Sequence, residues 1–408
     1  MTRAAQGGRV LRSSMVIAVA MAVMNVTTYA FTIIAARLLV PVEYGALAAV
    51  MGLLLVLNVL SLGLQATAAR RVAAAPDGRD GIEHEVMRTT YRCALALGAL
   101  ALLATPAVSA LLNLGSWSVA ALIAVTIVPL TVMGGQAGIL QGERRWNPLA
   151  TIYLAVGVGR LGFGVVALVV EPDTLGAMLG VTAGAFVPAV VGWWALRRSG
   201  LPRSGAPRSP TAPGVGMLRE TFHNSHALLA FFALSSIDVV VARSVLDEKQ
   251  AGLYAGGLIL TKAVLFLPQF VVVIVFPAMS SAKSARRLNL MALGLVLAIG
   301  SAVVLGTAAL SELAVTFVGG PDYAPIEDLL WVFAGLGTLL AMLQLMVYNV
   351  VARQRQRAVL VIWAGCVLVA VAGALAGTVR DLVVTVLAVD ALVFVVLLVR
   401  AGLRSRTR

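Results

Sequence analysis

The feature that most constrains the fold is a succession of apolar runs, each about as long as a helix that crosses a bilayer. Such a helix needs about 20 residues, and runs of that length recur from the first arginines to the end of the chain. Hydrophobic residues make up 60% of the 408 residues, and the mean hydropathy is +0.96. Charged residues make up 12%, whereas soluble domains carry about 25%. We therefore predict an all-α integral membrane protein.

Applying the length rule along the chain predicts twelve transmembrane helices. The predicted spans are 14–39, 44–69, 90–112, 117–141, 148–170, 174–196, 222–246, 251–278, 288–311, 328–350, 358–379 and 382–400. The first apolar run is longer than the core of a signal peptide and other spans follow it, so we interpret it as an uncleaved helix.

The connections between the spans agree with this count. With the N-terminus in the cytoplasm, the inner connections and both termini collect the basic residues, and the outer turns are mostly acidic. The basic residues outside this distribution are Arg37, Arg160, Arg243, Lys249, Lys262 and Arg380. This alternation follows the positive-inside rule, so both termini are predicted to be cytoplasmic. The net charge of +13 forms no continuous basic surface, and a nucleic-acid partner is therefore not expected.

Two stretches, 36–52 and 235–262, carry the same pattern in the two halves of the chain. In each of these turn motifs an apolar helix reaches an Ala-Arg pair, then a short acidic turn, then a glycine with small residues and a tyrosine beside it. The repetition predicts two six-helix lobes, 1–196 and 221–408. Residues 197–220, rich in Pro and Arg, are predicted to be a cytoplasmic linker between the lobes.

Four charged residues lie deep within predicted spans. Arg160 lies about 18 Å along the fifth span, near the bilayer centre. Asp238 and Lys262 fall in the seventh and eighth spans, and Asp390 lies midway along the twelfth. A charge at the membrane centre costs about 2.5 to 3.5 kcal/mol, so each of these residues needs a partner or a wet cavity.

These charges leave several roles open. Arg160 has no partner nearby in sequence and is the strongest candidate for a substrate contact. Asp238 and Lys262 form a structural ion pair or have separate roles in binding substrate or an ion. Asp390 pairs with Arg160 across the halves or, like Asp238, is a carboxylate that couples transport to an ion.

Arg37 and Arg243 lie near the outer ends of their spans and add positive charge at the outer mouth. A cavity lined by these residues favours an anionic substrate, because arginine and lysine form charge-assisted hydrogen bonds with phosphate and pyrophosphate oxygens. No metal site or cofactor is expected, since the two cysteines and three histidines show no metal-ligand spacing.

The two turn motifs, ARLLVPVEYGALA and SIDVVVARSVLDEKQAGLYAGG, resemble those of the polysaccharide or oligosaccharide flippase family. That family belongs to the multidrug/oligosaccharidyl-lipid/polysaccharide exporter superfamily. The resemblance implies a MATE-like, V-shaped pair of lobes. It implies a flippase that moves a polyprenyl-pyrophosphate-linked oligosaccharide across the bacterial cytoplasmic membrane by alternating access, in cell-surface polysaccharide biosynthesis. Arg160 and Lys262 would contact the headgroup, and Asp238 matches an aspartate common in the family's seventh span. The implied partners are membrane lipids, a glycan polymerase and glycosyltransferases.

Two other classes of protein are alternatives to the flippase. An ion-coupled antiporter of small molecules or drugs with the same fold is kept open by Asp238 and Asp390. A membrane enzyme that builds glycans needs a long loop to hold catalytic acids. The longest outer loop, 312–327, has about sixteen residues, so we predict a transporter and not an enzyme.

Overall fold

The computed structural model describes residues 3–74, 79–197, 214–265, 285–352 and 356–403. Most of the predicted linker 197–220 lies outside these ranges, as do the second half of the predicted eighth span 251–278 and the basic residues Lys283, Arg353 and Arg355.

The described ranges hold fourteen α-helices, one 3₁₀ helix and no β-strand. In chain order they are α1 (Arg3–Leu38), α2 (Pro41–Ala74), α3 (Arg79–Leu103), α4 (Thr105–Leu111), α5 (Trp117–Gly142), α6 (Trp146–Val170), α7 (Thr174–Arg197), α8 (Gly214–Val245), α9 (Glu248–Leu265), α10 (Ala285–Ala309), α11 (Ser311–Val318), the 3₁₀ helix (Pro321–Leu329), α12 (Leu330–Ala352), α13 (Gln356–Gly373) and α14 (Val379–Leu403).

Ten helices in the described ranges are long and apolar enough to cross a membrane. Their surfaces expose large apolar side chains: Leu103 is 81% exposed, Val170 80% and Leu305 69%. Apolar surface this extensive is stable in lipid but not in water. The chain is a multi-pass membrane protein, as predicted. The number twelve stays a prediction, because the described part of α9 ends at Leu265 and the apolar part of α13 is short.

Contacts between residues divide the chain into two compact units. Unit 1 comprises Met1–Thr32, Leu57–Ala110 and Leu114–Ser225, and unit 2 comprises Ile33–Val56, Leu111–Asn113 and His226–Arg408. The C-terminal end of α1 and the N-terminal half of α2 thus pack as part of unit 2. The lobe boundaries 1–196 and 221–408 stay a prediction about the repeat.

Close backbone contacts between glycine-bearing helices organise unit 1. A Cβ atom on Gly138 of α5 would lie 2.6 Å from the carbonyl oxygen of Gln65 in α2. A Cβ atom on Gly184 of α7 would lie 2.7 Å from the carbonyl oxygen of Gly159 in α6. Small residues at such crossings let backbones approach closely, which supplies the van der Waals contact that holds helices together in lipid.

Aromatic side chains fill the centre of unit 2. Tyr254 of α9 and Phe333 of α12 are fully buried, with ring centroids 5.3 Å apart and nearly perpendicular rings. Tyr44 of α2 packs edge-on against Tyr323 of the 3₁₀ helix at 6.4 Å. These edge-to-face contacts add about 0.5 to 1.5 kcal/mol each beyond the apolar area that they bury. They fix α9 against α12, and α2 against the 3₁₀ helix.

Two predicted segments differ in detail from the structure. The predicted third span, 90–112, is interrupted where α3 ends at Leu103 and α4 begins at Thr105. Pro106 is the second residue of α4 and has no amide proton to continue the hydrogen bonding of α3. The segment 312–327, predicted to be an outer loop, is helical: it comprises most of α11 and most of the 3₁₀ helix. Val318 and Tyr323 anchor it, because both are fully buried within unit 2.

Candidate functional site

Arg160 lies on the face of α6 that packs against α1. Cβ atoms on Gly157 and Gly164 would overlap Thr27 and Phe31 of α1, respectively. Residues 157, 160 and 164 share one face of a helix, so Arg160 lies between these two contacts. Its side chain is half-buried and makes no hydrogen bond or ion pair with any described residue. An arginine in that position has its full set of donors available for a ligand.

Asp238 of α8 is the centre of a buried polar cluster in unit 2. The residue is 2% exposed, and its Oδ2 accepts a hydrogen bond of 3.1 Å from the hydroxyl of Tyr254 in α9. Its Oδ1 accepts a bond of 2.8 Å from the amide of Val239. Lys262 attracts Asp238 electrostatically but forms no direct ion pair with it. The structure therefore places Lys262 near Asp238 without joining the two charges.

Asp390 of α14 is fully buried, and neither carboxyl oxygen has a hydrogen-bond donor within the part of unit 2 that the structure describes. Asp390 also interacts with Asp238 electrostatically. Because burying an unpaired carboxylate is costly, a side chain in this position is stable when it is neutral or when it binds a cation. Asp238 and Asp390 are the two predicted ion-coupling residues, and they lie in the same part of unit 2.

Arg243, at the end of α8, holds the chain segment that follows α4. Its Nε donates to the carbonyl oxygen of Leu112 at 2.8 Å, and its Nη2 donates to that of Asn113. In return, Nδ2 of Asn113 donates to the carbonyl oxygen of Arg243 at 2.7 Å. The arginine is 3% exposed, so its guanidinium faces the protein. Arg37 is exposed, and its Nη2 donates to the carbonyl oxygen of Thr316 at 3.0 Å.

The structure thus separates the predicted site residues by environment. Arg160 is in unit 1 with its donors unused. Asp238, Lys262 and Asp390 lie together in unit 2, and Arg37 and Arg243 each bind backbone carbonyl groups at helix ends.

Tyr254 is a residue of this cluster that the sequence analysis missed. It belongs to the second turn motif, and a pattern of small residues does not show which way a neighbouring hydroxyl points. The sequence offers only an indirect indication of Tyr254. A buried aspartate in lipid needs a hydrogen-bond donor on an adjacent helix, and Tyr254 carries a hydroxyl group near the centre of α9.

Comparison with known proteins identifies the family and the fold. The profile of the family described as polysaccharide biosynthesis protein matches residues 10–283. No curated protein sequence matches the chain significantly.

Solved structures of transporters match nearly the whole chain. An inward-facing multidrug resistance MATE family transporter of the MOP superfamily matches with a TM-score of 0.72 at 13% identity, covering 93% of this chain and 94% of its own. The lipid II flippase MurJ in an inward closed conformation matches with a TM-score of 0.72 at 11% identity, covering 95% and 87%. The eukaryotic MATE transporter AtDTX14 matches with a TM-score of 0.59 at 14% identity, covering 96% of both chains.

These results confirm the predicted fold class and family, and they agree with the prediction of a transporter and not an enzyme. Identities this low show the fold alone, while the profile match extends over more than half of the chain. The chain therefore belongs to the polysaccharide biosynthesis protein family and has the fold of the MOP superfamily transporters.

Proposed function

We propose that the protein is a flippase that moves a polyprenyl-pyrophosphate-linked oligosaccharide from the cytoplasmic to the outer leaflet by alternating access. The family supports a role in polysaccharide biosynthesis, and the fold supports transport. We place it in the bacterial cytoplasmic membrane, and the positive-inside distribution supports an orientation with both termini in the cytoplasm. The proposed partners are membrane lipids and the glycosyltransferases and polymerase that act on the same glycan.

The observation that carries this proposal is the state of Arg160. It lies at the middle of α6, half-buried and without a partner in the described residues. An uncompensated charge at that depth is tolerated where it faces a wet cavity or binds a counter-charge. Pyrophosphate supplies that counter-charge, and guanidinium matches its oxygens in a bidentate way.

The other site residues take different roles in this proposal. Lys262 is proposed to supply a second positive charge toward the headgroup, since it makes no ion pair with any described residue. Asp238 positions Lys262 and shares the ion-coupling role with Asp390. Arg37 and Arg243 are proposed to hold the outer turns through carbonyl groups.

Transport by purified protein in vesicles tests the role of Arg160. The probe is a fluorescent short-chain polyprenyl pyrophosphate that carries a disaccharide, and its arrival in the opposite leaflet is measured with a membrane-impermeant quencher. Arg160→Ala is expected to lower the rate about 10- to 100-fold, since it removes charge-assisted hydrogen bonds. Arg160→Lys should keep part of the rate. Full activity in Arg160→Ala would remove this residue from the mechanism.

The matched control is Arg380→Ala. Arg380 is an exposed arginine near the start of α14, so its loss removes one positive charge without touching the proposed site. Equal losses in Arg160→Ala and Arg380→Ala would show a general effect of net charge and would contradict a specific headgroup contact.

A second candidate function is an ion-coupled antiporter of small molecules, and the pair Asp238 and Asp390 favours it. Two buried carboxyl groups that repel each other form a site whose charge state changes with bound protons or cations. The wild-type protein would then move a cationic dye against its gradient when a proton or sodium gradient is imposed. Gradient-driven dye movement without movement of the lipid-linked sugar would replace the flippase proposal with this one.

A further inference from the structure

Three polar side chains of unit 1 meet at one point near the inner ends of their helices. Nε2 of Gln65 in α2 donates to Oε1 of Gln141 in α5 at 3.0 Å. The same nitrogen donates to the hydroxyl oxygen of Tyr153 in α6 at 2.8 Å. Gln141 lies one residue before the inner end of α5, and Tyr153 lies in the first half of α6. We call these three residues the amide cluster.

The amide cluster is accessible and has unused hydrogen-bonding capacity. Gln141 is exposed, and Gln65 and Tyr153 are half-buried. The two bonds above are the hydrogen bonds that these side chains make within the described residues, and they use both amide protons of Gln65. Oε1 of Gln65, both amide protons of Gln141 and the hydroxyl proton of Tyr153 are left for a ligand.

These side chains are not required to hold their helices together. Cβ atoms on Gly138 and Gly142 of α5 would lie 2.6 and 2.7 Å from the carbonyl oxygens of Gln65 and Ala69 in α2, so the two backbones already touch on both sides of Gln141. Leu64 and Ala68, which lie one residue before and three residues after Gln65 on α2, are fully buried. These contacts hold α2 in place without the hydrogen bonds of the Gln65 side chain.

The cluster also has a definite relation to Arg160. Tyr153 and Arg160 are seven residues apart on α6, so they lie on nearly the same face, about 10 Å apart along the helix axis. Exposed amide and phenol groups within a span are unfavourable in lipid and favourable in a wet cavity. The same face of α6 thus presents neutral polar groups toward the inner side and a cation nearer the membrane centre.

The chemistry of the cluster fits sugar hydroxyl groups. A hydroxyl donates one hydrogen bond and accepts others, which matches an acceptor on Gln65 next to donors on Gln141 and Tyr153. The cluster carries no charge, so it binds pyrophosphate less well than the guanidinium of Arg160 does. We propose that Gln65, Gln141 and Tyr153 form a carbohydrate-binding subsite for the first sugar of the lipid-linked glycan. This inference rests on the proposed flippase function.

Direct binding separates the sugar subsite from the headgroup site. Two families of probe are compared on the purified full-length protein. One is geranyl pyrophosphate, and the other is geranyl pyrophosphate linked to a hexose, an N-acetylhexosamine or a deoxyhexose. The wild type is expected to bind at least one sugar-bearing probe about tenfold more tightly than the bare pyrophosphate. Tyr153→Phe and Gln141→Leu should remove that preference and leave binding of the bare probe unchanged.

Tyr91→Phe is the matched control, because Tyr91 is an exposed tyrosine of α3 in the same unit. Equal binding of all probes by the wild type, with loss of all binding in Arg160→Ala, would overturn the sugar subsite and keep the headgroup site. Absence of binding for every probe would overturn the flippase proposal itself. Tyr153→Phe lowering the melting temperature and all affinities together would show that the cluster serves only to join helices.

Discussion

Gly45 and Gly252, the glycines of the two turn motifs, lie backbone against backbone within unit 2. A Cβ atom on Gly45 would come within 2.8 Å of the Cα atom of Gly252, and one on Gly252 would overlap the carbonyl oxygen of Pro41. The predicted sequence repeat therefore corresponds to a close contact in the fold. It places two glycines at a crossing of α2 and α9 where no side chain fits.

Replacing Gly252 by alanine is expected to lower the melting temperature of the protein in detergent. The added methyl group meets backbone atoms, which cannot rotate away as the end of a side chain can. Gly335→Ala is the control, because a Cβ atom there has no neighbour within 4 Å. That variant should be unchanged or slightly more stable, since alanine favours helix by about 1 kcal/mol over glycine. Equal melting temperatures for Gly252→Ala and the wild type would contradict the close crossing.

The bond between Tyr254 and Asp238 should stabilise unit 2. Tyr254→Phe removes a donor from a carboxyl group that is 2% exposed, and we expect a loss of about 1 to 3 kcal/mol in the free energy of unfolding. The same change in an Asp238→Asn background should cost less, because the charged acceptor is gone. Thermal unfolding of the four proteins measures this coupling energy. Additive losses would show that the bond contributes nothing.

The parts of the site that the sequence predicted are those where one residue conflicts with its surroundings. Arg160, Asp238 and Asp390 are charged residues within apolar helices. A charge inside an apolar run is visible in the sequence alone. Their depth follows from helix length, which the apolar runs define well.

The parts that the sequence did not predict depend on how helices are rotated about their axes. Tyr254 faces Asp238, and Tyr153 faces Gln65, because of the rotation of α9 and α6. Spans that are apolar on every side carry little periodic signal that would define this rotation. The loop predicted over 312–327 is wrong for a related reason: a short segment rich in polar residues does not show that Val318 and Tyr323 within it are buried.

We expect that Asp390 serves function and lowers the stability of the folded protein. Asp390→Leu should keep or raise the melting temperature, because an apolar side chain of similar size replaces a buried carboxyl group that has no donor in the described residues. The same variant should lose any dependence of transport on a proton or sodium gradient. Asp238→Leu is the contrast, since it leaves the hydroxyl of Tyr254 without its acceptor and should lower stability. A large loss of stability in Asp390→Leu would show that a donor holds this carboxyl group.

Arg243 is expected to act through stability and not through substrate contact. Arg243→Lys keeps the charge but cannot reach both carbonyl groups of Leu112 and Asn113, because lysine lacks the planar fork of guanidinium. We expect a loss of about 2 kcal/mol in the free energy of unfolding, with unchanged transport per folded molecule. Arg37→Lys is the control: this arginine is exposed and makes one bond to a carbonyl group, so the change should be small. If Arg243→Lys slowed transport while its melting temperature stayed that of the wild type, Arg243 would belong to the substrate path.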